Sequence, residues 1–170
     1  MSCSRSIFHG TTLAGLAGII SEDAIYEGVH WQKPGEPHGP RFFESIKPAW
    51  LFGRDDLGEN SPGGVIEVDF DKIKKRYKFE RYRDATYEGD VFENEEEEIV
   101  ILTKKLRLSP YLISVYLSPG VYEVLSSAED TEREIQFSMN QHGGNKREWR
   151  QMYGRLWRHV RLRPKEFIRT

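Results

Sequence analysis

The chain is poor in cysteine, with only Cys3 in 170 residues. A single thiol excludes both a disulfide framework and a thiolate metal cluster. It also lacks any uninterrupted apolar run near the ~18 residues that a membrane-spanning helix needs. Met1-Ser2-Cys3-Ser4-Arg5 runs straight into the first apolar segment with no signal-peptide core, so a cytoplasmic protein without a membrane partner is expected. A large excess of one charge is missing too: the formal charge is -2, which selects no class of partner by itself. No internal repeat is present. What the chain does hold is core material. Its 38% hydrophobic and 12% aromatic residues suffice for one folded domain of this length.

Charge is sorted along the sequence. Residues 84–98 are almost purely acidic in their charges, and residues 145–170 are mostly basic. Gly143-Gly144 is a candidate boundary. Beyond it Trp149, Met152, Tyr153, Leu156, Trp157 and Val160 recur at helical spacing, while Lys146, Arg147, Arg150, Arg155 and Arg158 cover the rest, so residues 146–163 read as an amphipathic helix. The organisation expected is a body over residues 1–125 and a helical, basic extension over 126–170 packed on it. The aromatic stripe would dock on the body. The basic face suits an acidic protein surface or nucleic acid.

Within the body, Ile7-Phe8 reads as a strand that ends at His9-Gly10-Thr11. Leu13, Leu16, Ala17, Ile19 and Ile20 then mark an amphipathic helix over 12–21, capped by Thr11 or Thr12. Residues 28–40 carry three glycines and three prolines and form a long loop, the kind that is often functional. Arg41 to Ser45 reads as a second strand, with a short helix over 47–53 behind it. Val65 to Val68 is a strand, and a helix or turn follows with Asp69 or Asp71 near its start. Glu98 to Leu102 has the near-continuous apolar character of a sheet centre. Tyr111 to Leu117 and Val121 to Leu125 read as further strands around the Ser118-Pro119-Gly120 turn.

A histidine at a strand end, an aromatic-rich second strand and an acidic run opening a third could together hold a nicotinamide riboside. Cleaving its glycosidic bond passes through an oxocarbenium-like state, which a nearby carboxylate stabilises more than it stabilises the ground state. Four glutamates, Glu95, Glu96, Glu97 and Glu98, are candidates, because at least one enters the strand and burying a carboxylate is costly. The bland alternatives are a solvated acidic turn, aromatics that serve the core, and arginines (Arg41, Arg54) that serve solvation rather than a pyrophosphate. His30 and His38 do not share a metal-ligand spacing with His9, so no metal is expected.

At Phe8-His9-Gly10-Thr11, Arg41-Phe42-Phe43-Glu44-Ser45, Ala49-Trp50-Leu51-Phe52-Gly53 and Glu95 to Val100 the sequence resembles the mono-ADP-ribosyltransferases. The similarity is to the His-Tyr-Glu class typified by diphtheria toxin and the poly-ADP-ribose polymerases, and to small phage and bacterial proteins with the same opening. The resemblance spans roughly residues 6–117. It implies an α+β fold with a split, mostly antiparallel sheet, flanking helices and a C-terminal amphipathic helix. It further implies a cytoplasmic, toxin-like or effector transferase that uses NAD to modify a macromolecular acceptor, a protein ahead of a nucleic acid. Glu98 would be catalytic, with Glu97 and Glu96 as alternatives. His9, Gly10, Thr11, Arg41, Phe43, Trp50 and Phe52 would bind the cofactor, His9 at the adenosine ribose and Gly10 through its backbone at the carboxamide. The chain departs from the family where phenylalanine or tryptophan replaces the stacking tyrosines, forfeiting a phenolic hydrogen bond, and where Phe43-Glu44 precedes Ser45. The rival expectations are an RNA 2'-phosphotransferase and a non-catalytic binding module on the same fold.

Overall fold

Two three-stranded antiparallel sheets meet along a seam where, among the described residues, one residue pair makes the backbone bridge. The computed structural model describes residues 3–28, 35–55, 62–83 and 97–163, the side chains of 51–55 and 62 excepted. The first sheet has the order β1 (Ser6–Thr12), β4 (Pro62–Asp69), β8 (Leu112–Leu117), and the second β3 (Arg41–Phe42), β6 (Glu98–Ile101), β5 (Phe79–Tyr82). Phe8 and Phe43 join them, exchanging both backbone hydrogen bonds at 2.8 Å. A separate pair, β2 (Ala24–Tyr26) and β7 (Lys105–Arg107), is antiparallel as well. The architecture is α+β with flanking helices, as the sequence implied.

Helix α1 (Leu13–Glu22) begins where Thr12 Oγ1 accepts from the Gly15 amide at 3.1 Å and ends at Asp23 in the left-handed region, φ 55°. Helix α2 (Ile46–Asp55) follows β3, and α3 (Phe70–Lys74) starts at the Asp69 cap. Period-two alternation sorts the strand side chains between two faces. Ile7, Phe42, Ile66 and Ile99 enter the main core, which α1 covers. Phe8, Phe43 and Val65 turn the other way and form a smaller cluster with Ala49 and Trp50 of α2.

Val121 to Leu125 is helical rather than the expected strand. It lies in α4 (Val121–Ser126), which follows Gly120 at φ 85°. Its buried residues are Val121 and Leu125, four apart on one helical face, a spacing that outweighs the β-branched composition. Helices α5 (Ala128–His142) and α6 (Lys146–Arg161) complete the chain. The Gly143-Gly144 break falls between these two helices. Trp149, Tyr153, Leu156 and Val160 of α6 join the same core as Ile7 and Phe42, so the C-terminal helices share the body's core. The Trp149 indole N–H donates to the Gly143 carbonyl at 2.8 Å, and the Tyr153 and Ser138 hydroxyls bond at 2.9 Å in the interior.

One group in α6 makes stability depend on pH. The Nε2 of His159 is buried and has no hydrogen-bond partner among the described residues. Burial, and then the nearby Arg163 charge, push its pKa down to about 4. The unfolded chain takes up this proton near its ordinary value of roughly 6.5, before the folded chain does. Stability is therefore complete above about pH 6.5 and falls as pH drops toward 4. The ring is only half-buried, so solvent screening reduces the loss to about 1 kcal/mol. Urea unfolding at pH 7 and pH 5 is expected to show this drop, and His159→Leu to flatten it.

Candidate functional site

The seam between β1 and β3 is where backbone and side-chain chemistry converge. Phe8 directs its N–H and C=O at β3, and by the two-residue period Gly10 directs its own the same way. The next rung of that ladder would be Gly10 with Arg41. Among the described residues it is not formed, since Phe8 with Phe43 is the one bridge between these strands. The backbone ladder ends here. The imidazole of His9 spans the gap instead, with Nδ1 2.8 Å from the Arg41 carbonyl. A carbonyl only accepts, so Nδ1 carries the proton and a neutral ring has its acceptor at Nε2. Below His9 lies Phe42, ring centroids 5.6 Å apart.

Register decides which glutamate shares this face. Phe42 pairs with Ile99, and Arg41 with Val100. Alternation then puts His9, Phe42 and Ile99 on one face and Phe43, Arg41, Val100 and Glu98 on the other. Glu98, the first choice from sequence, is thus on the face opposite His9. It is buried, and its Oε2 accepts from Arg41 Nη1 at 2.6 Å. Glu97 stands one residue before β6, exposed, and continues the Ile99 side of the alternation. Two strand spacings and two residues of offset separate it from His9, roughly 12 Å between Cα atoms. Glu44, its neighbour across the extended ladder, is already in ion pairs with Arg5 and with Arg81, the latter at 3.2 Å. Glu96 lies outside the described residues.

Arg41 holds the opposite face together. Its Nη2 reaches Glu36 Oε2 at 3.2 Å, and its guanidinium lies over the Tyr82 ring, 5.5 Å from the centroid. The Tyr82 hydroxyl donates to Glu36 Oε1 at 2.9 Å. Burial pulls the Arg41 pKa down, but the charge and hydrogen bond of Glu98, then those of Glu36, outweigh it and leave the group above its ordinary value. Arg41 therefore remains a cation committed to two carboxylates, rather than presented to a pyrophosphate. The loop bearing Glu36 is drawn onto the sheet just before β3. The Pro40 carbonyl accepts from Ile101 N–H at 3.0 Å, and a Cβ on Gly39 would sit 1.7 Å from the Ile101 carbonyl oxygen.

The remaining sequence candidates divide. Thr11 continues the His9 side of β1, whereas Thr12 takes the helix cap. Phe43 is buried beneath α2. The indole N–H of Trp50 donates to Ser118 Oγ at 3.0 Å. Both serve packing on the face away from His9. Phe52 falls in α2, and its side chain is outside those described. Sequence reasoning passed over Glu36 and Tyr82, and weighed Phe42 among aromatics that serve the core or line the pocket; the structure puts it in the core. Glu36, an acid set among loop glycines and prolines, was the one visible signal. No group of His, Cys, Asp or Glu suited to a metal ion occurs among the described residues, and none of their helices is long and apolar enough to cross a membrane. No protein-family model, curated protein or solved structure matches the chain.

Proposed function

We propose that this protein cleaves the bond between nicotinamide and ribose in NAD and transfers the ADP-ribose to a macromolecular acceptor. One observation carries the reading: Gly10 turns an amide N–H and C=O toward β3 at the position where the seam opens. A primary carboxamide offers the complementary acceptor and donor, so nicotinamide can complete the rung that Arg41 leaves unmade. The adjoining groups suit the rest of the dinucleotide. His9, anchored through Nδ1 at the Arg41 carbonyl, is the candidate to contact a ribose hydroxyl. Glu97, exposed just before β6 and continuing the same face by alternation, would serve the other ribose.

The chemistry follows from charge. The C1'–N bond breaks with both electrons going to the pyridinium ring, which leaves as neutral nicotinamide. The cation left on the ribose is stabilised by the Glu97 carboxylate. An acceptor nucleophile then bonds to C1' and gives up its proton. Glu98 has a different task, because a carboxylate neutralised by Arg41 at 2.6 Å has little field left for a second cation. Its pairing fixes the start of β6, and with it Glu97.

The test is incubation with NAD labelled in nicotinamide or in adenine. Free labelled nicotinamide and an adenine-labelled acceptor are expected. His9→Ala is expected to raise the KM for NAD about tenfold, the scale of one lost hydrogen bond to substrate. Absence of both nicotinamide release and saturable NAD binding would defeat the reading.

A further inference from the structure

The outer face of α6 has a feature that NAD chemistry does not use. Residues 146–170 hold nine Lys and Arg against two Glu, leaving 16 against 25 in residues 1–145. Within α6 and its end, Lys146 and Arg150 are paired with Glu132, at 3.5 and 2.8 Å. Arg147, Arg155, Arg158, Arg161 and Arg163 have no carboxylate partner among the described residues, and all five are exposed. Arg155 reaches the Ser21 hydroxyl at 2.8 Å, while Arg158 and Arg163, among the described residues, bond only to backbone carbonyls of α6.

Stability does not explain this arrangement. Cations in the last turn complement the helix dipole, but Arg147 sits in the first turn and Arg155 in the middle, where that benefit is absent or reversed. Arg155 with Arg158, and Arg158 with Arg161, are three apart, a like-charge spacing that costs about 0.2–0.5 kcal/mol each. Solvation does not require a single sign either. The exposed side of α5 mixes Glu129 and Asp130 with Arg133, and these pair.

A second observation points outward. Gly154 lies between Arg147 and Arg158 on the helical stripe of 147, 151, 154, 158 and 161. A glycine inside a helix costs about 1 kcal/mol relative to alanine, yet a Cβ at Gly154 would meet nothing within 4 Å. Internal packing does not call for it. A shallow notch flanked by guanidinium groups lets an external polyanion approach closely.

We infer that the outer face of α6 is a docking surface for nucleic acid, read through its phosphates. Guanidinium forks match phosphate oxygens bidentately. The aromatic rings that could stack on bases are turned inward: Trp149 and Tyr153 belong to the core, and Trp157 packs on Tyr122 at 5.2 Å. Recognition is therefore of the backbone and independent of sequence. The inference stands on this surface alone and does not need the NAD reading to hold.

The experiment is fluorescence anisotropy of the full chain, without NAD, with a labelled 20-nucleotide single strand and the matching duplex. Five phosphate contacts predict that log affinity against log salt falls with a slope of about -3.5 for the single strand and about -4.5 for the duplex. In R147Q/R158Q/R161Q the slope is expected to lose about three contacts, with unfolding checked by circular dichroism. Gly154→Ala is expected to melt higher and bind more weakly. Equal binding by wild type and the triple variant, no binding by wild type, or tighter binding to a polyglutamate peptide of equal charge each overturns the inference.

Discussion

Glu97→Gln is expected to slow nicotinamide release from NAD by about a hundredfold or more, the scale of losing one electrostatic partner of a transition state. The melting temperature should hardly move, because Glu97 is exposed and surface changes away from special features cost within about 0.5 kcal/mol. The loss should fall on kcat, with KM for NAD little changed, since the carboxylate acts on charge that exists only as the bond breaks. Glu98→Gln provides the contrast. It weakens the bond to Arg41 and is expected to lower stability while keeping most of the rate per folded molecule. Rate measurements on both variants, alongside unfolding curves, separate the roles. If Glu98→Gln abolishes turnover with an unchanged melting temperature while Glu97→Gln stays active, the assignment of faces is wrong.

The second large effect concerns Arg41. Arg41→Met removes the guanidinium shared by two buried carboxylates, Glu98 and Glu36, at 8% and 5% side-chain exposure. Removing one partner of a buried pair costs about 3–5 kcal/mol, mostly the penalty of the stranded charge. Urea unfolding at pH 7 should show a loss of that order. Combining Arg41→Met with Glu98→Gln and Glu36→Gln should recover much of the stability at pH 7. No recovery in the triple variant would indicate that lost packing, not unbalanced charge, is the cause.

Local elements were legible in the sequence where one periodicity dominated. Leu13, Leu16 and Ala17 with the Thr12 cap announced α1, and the apolar run after Glu98 announced β6. The docked face of α6 was equally plain from Trp149, Tyr153, Leu156 and Val160. Shorter pieces were not. β2 and β7 have three residues each and β5 has four, too few for alternation to stand out from a loop. The site was half legible. His9 and Gly10 stood out ahead of α1, although they lie within β1 rather than at the strand end the sequence suggested, and choosing between Glu97 and Glu98 requires knowing that Phe42 faces Ile99. That is a cross-strand fact, and a one-residue slip would exchange the two glutamates. Arg41 looked like a phosphate ligand for a similar reason. Nothing near it in sequence reveals that Glu98, 57 positions away, takes its guanidinium.

The bridge of Phe8 and Phe43 has a mechanical consequence. With two hydrogen bonds as the direct backbone tie between the sheet halves among the described residues, separation along that line breaks few bonds. A small molecule seated at Gly10 would act as a stitch, adding contacts to both sides. Amide protons of β1 and β3 should then exchange with solvent more slowly in its presence, while those of the β4–β8 ladder, already bonded along their length, change little.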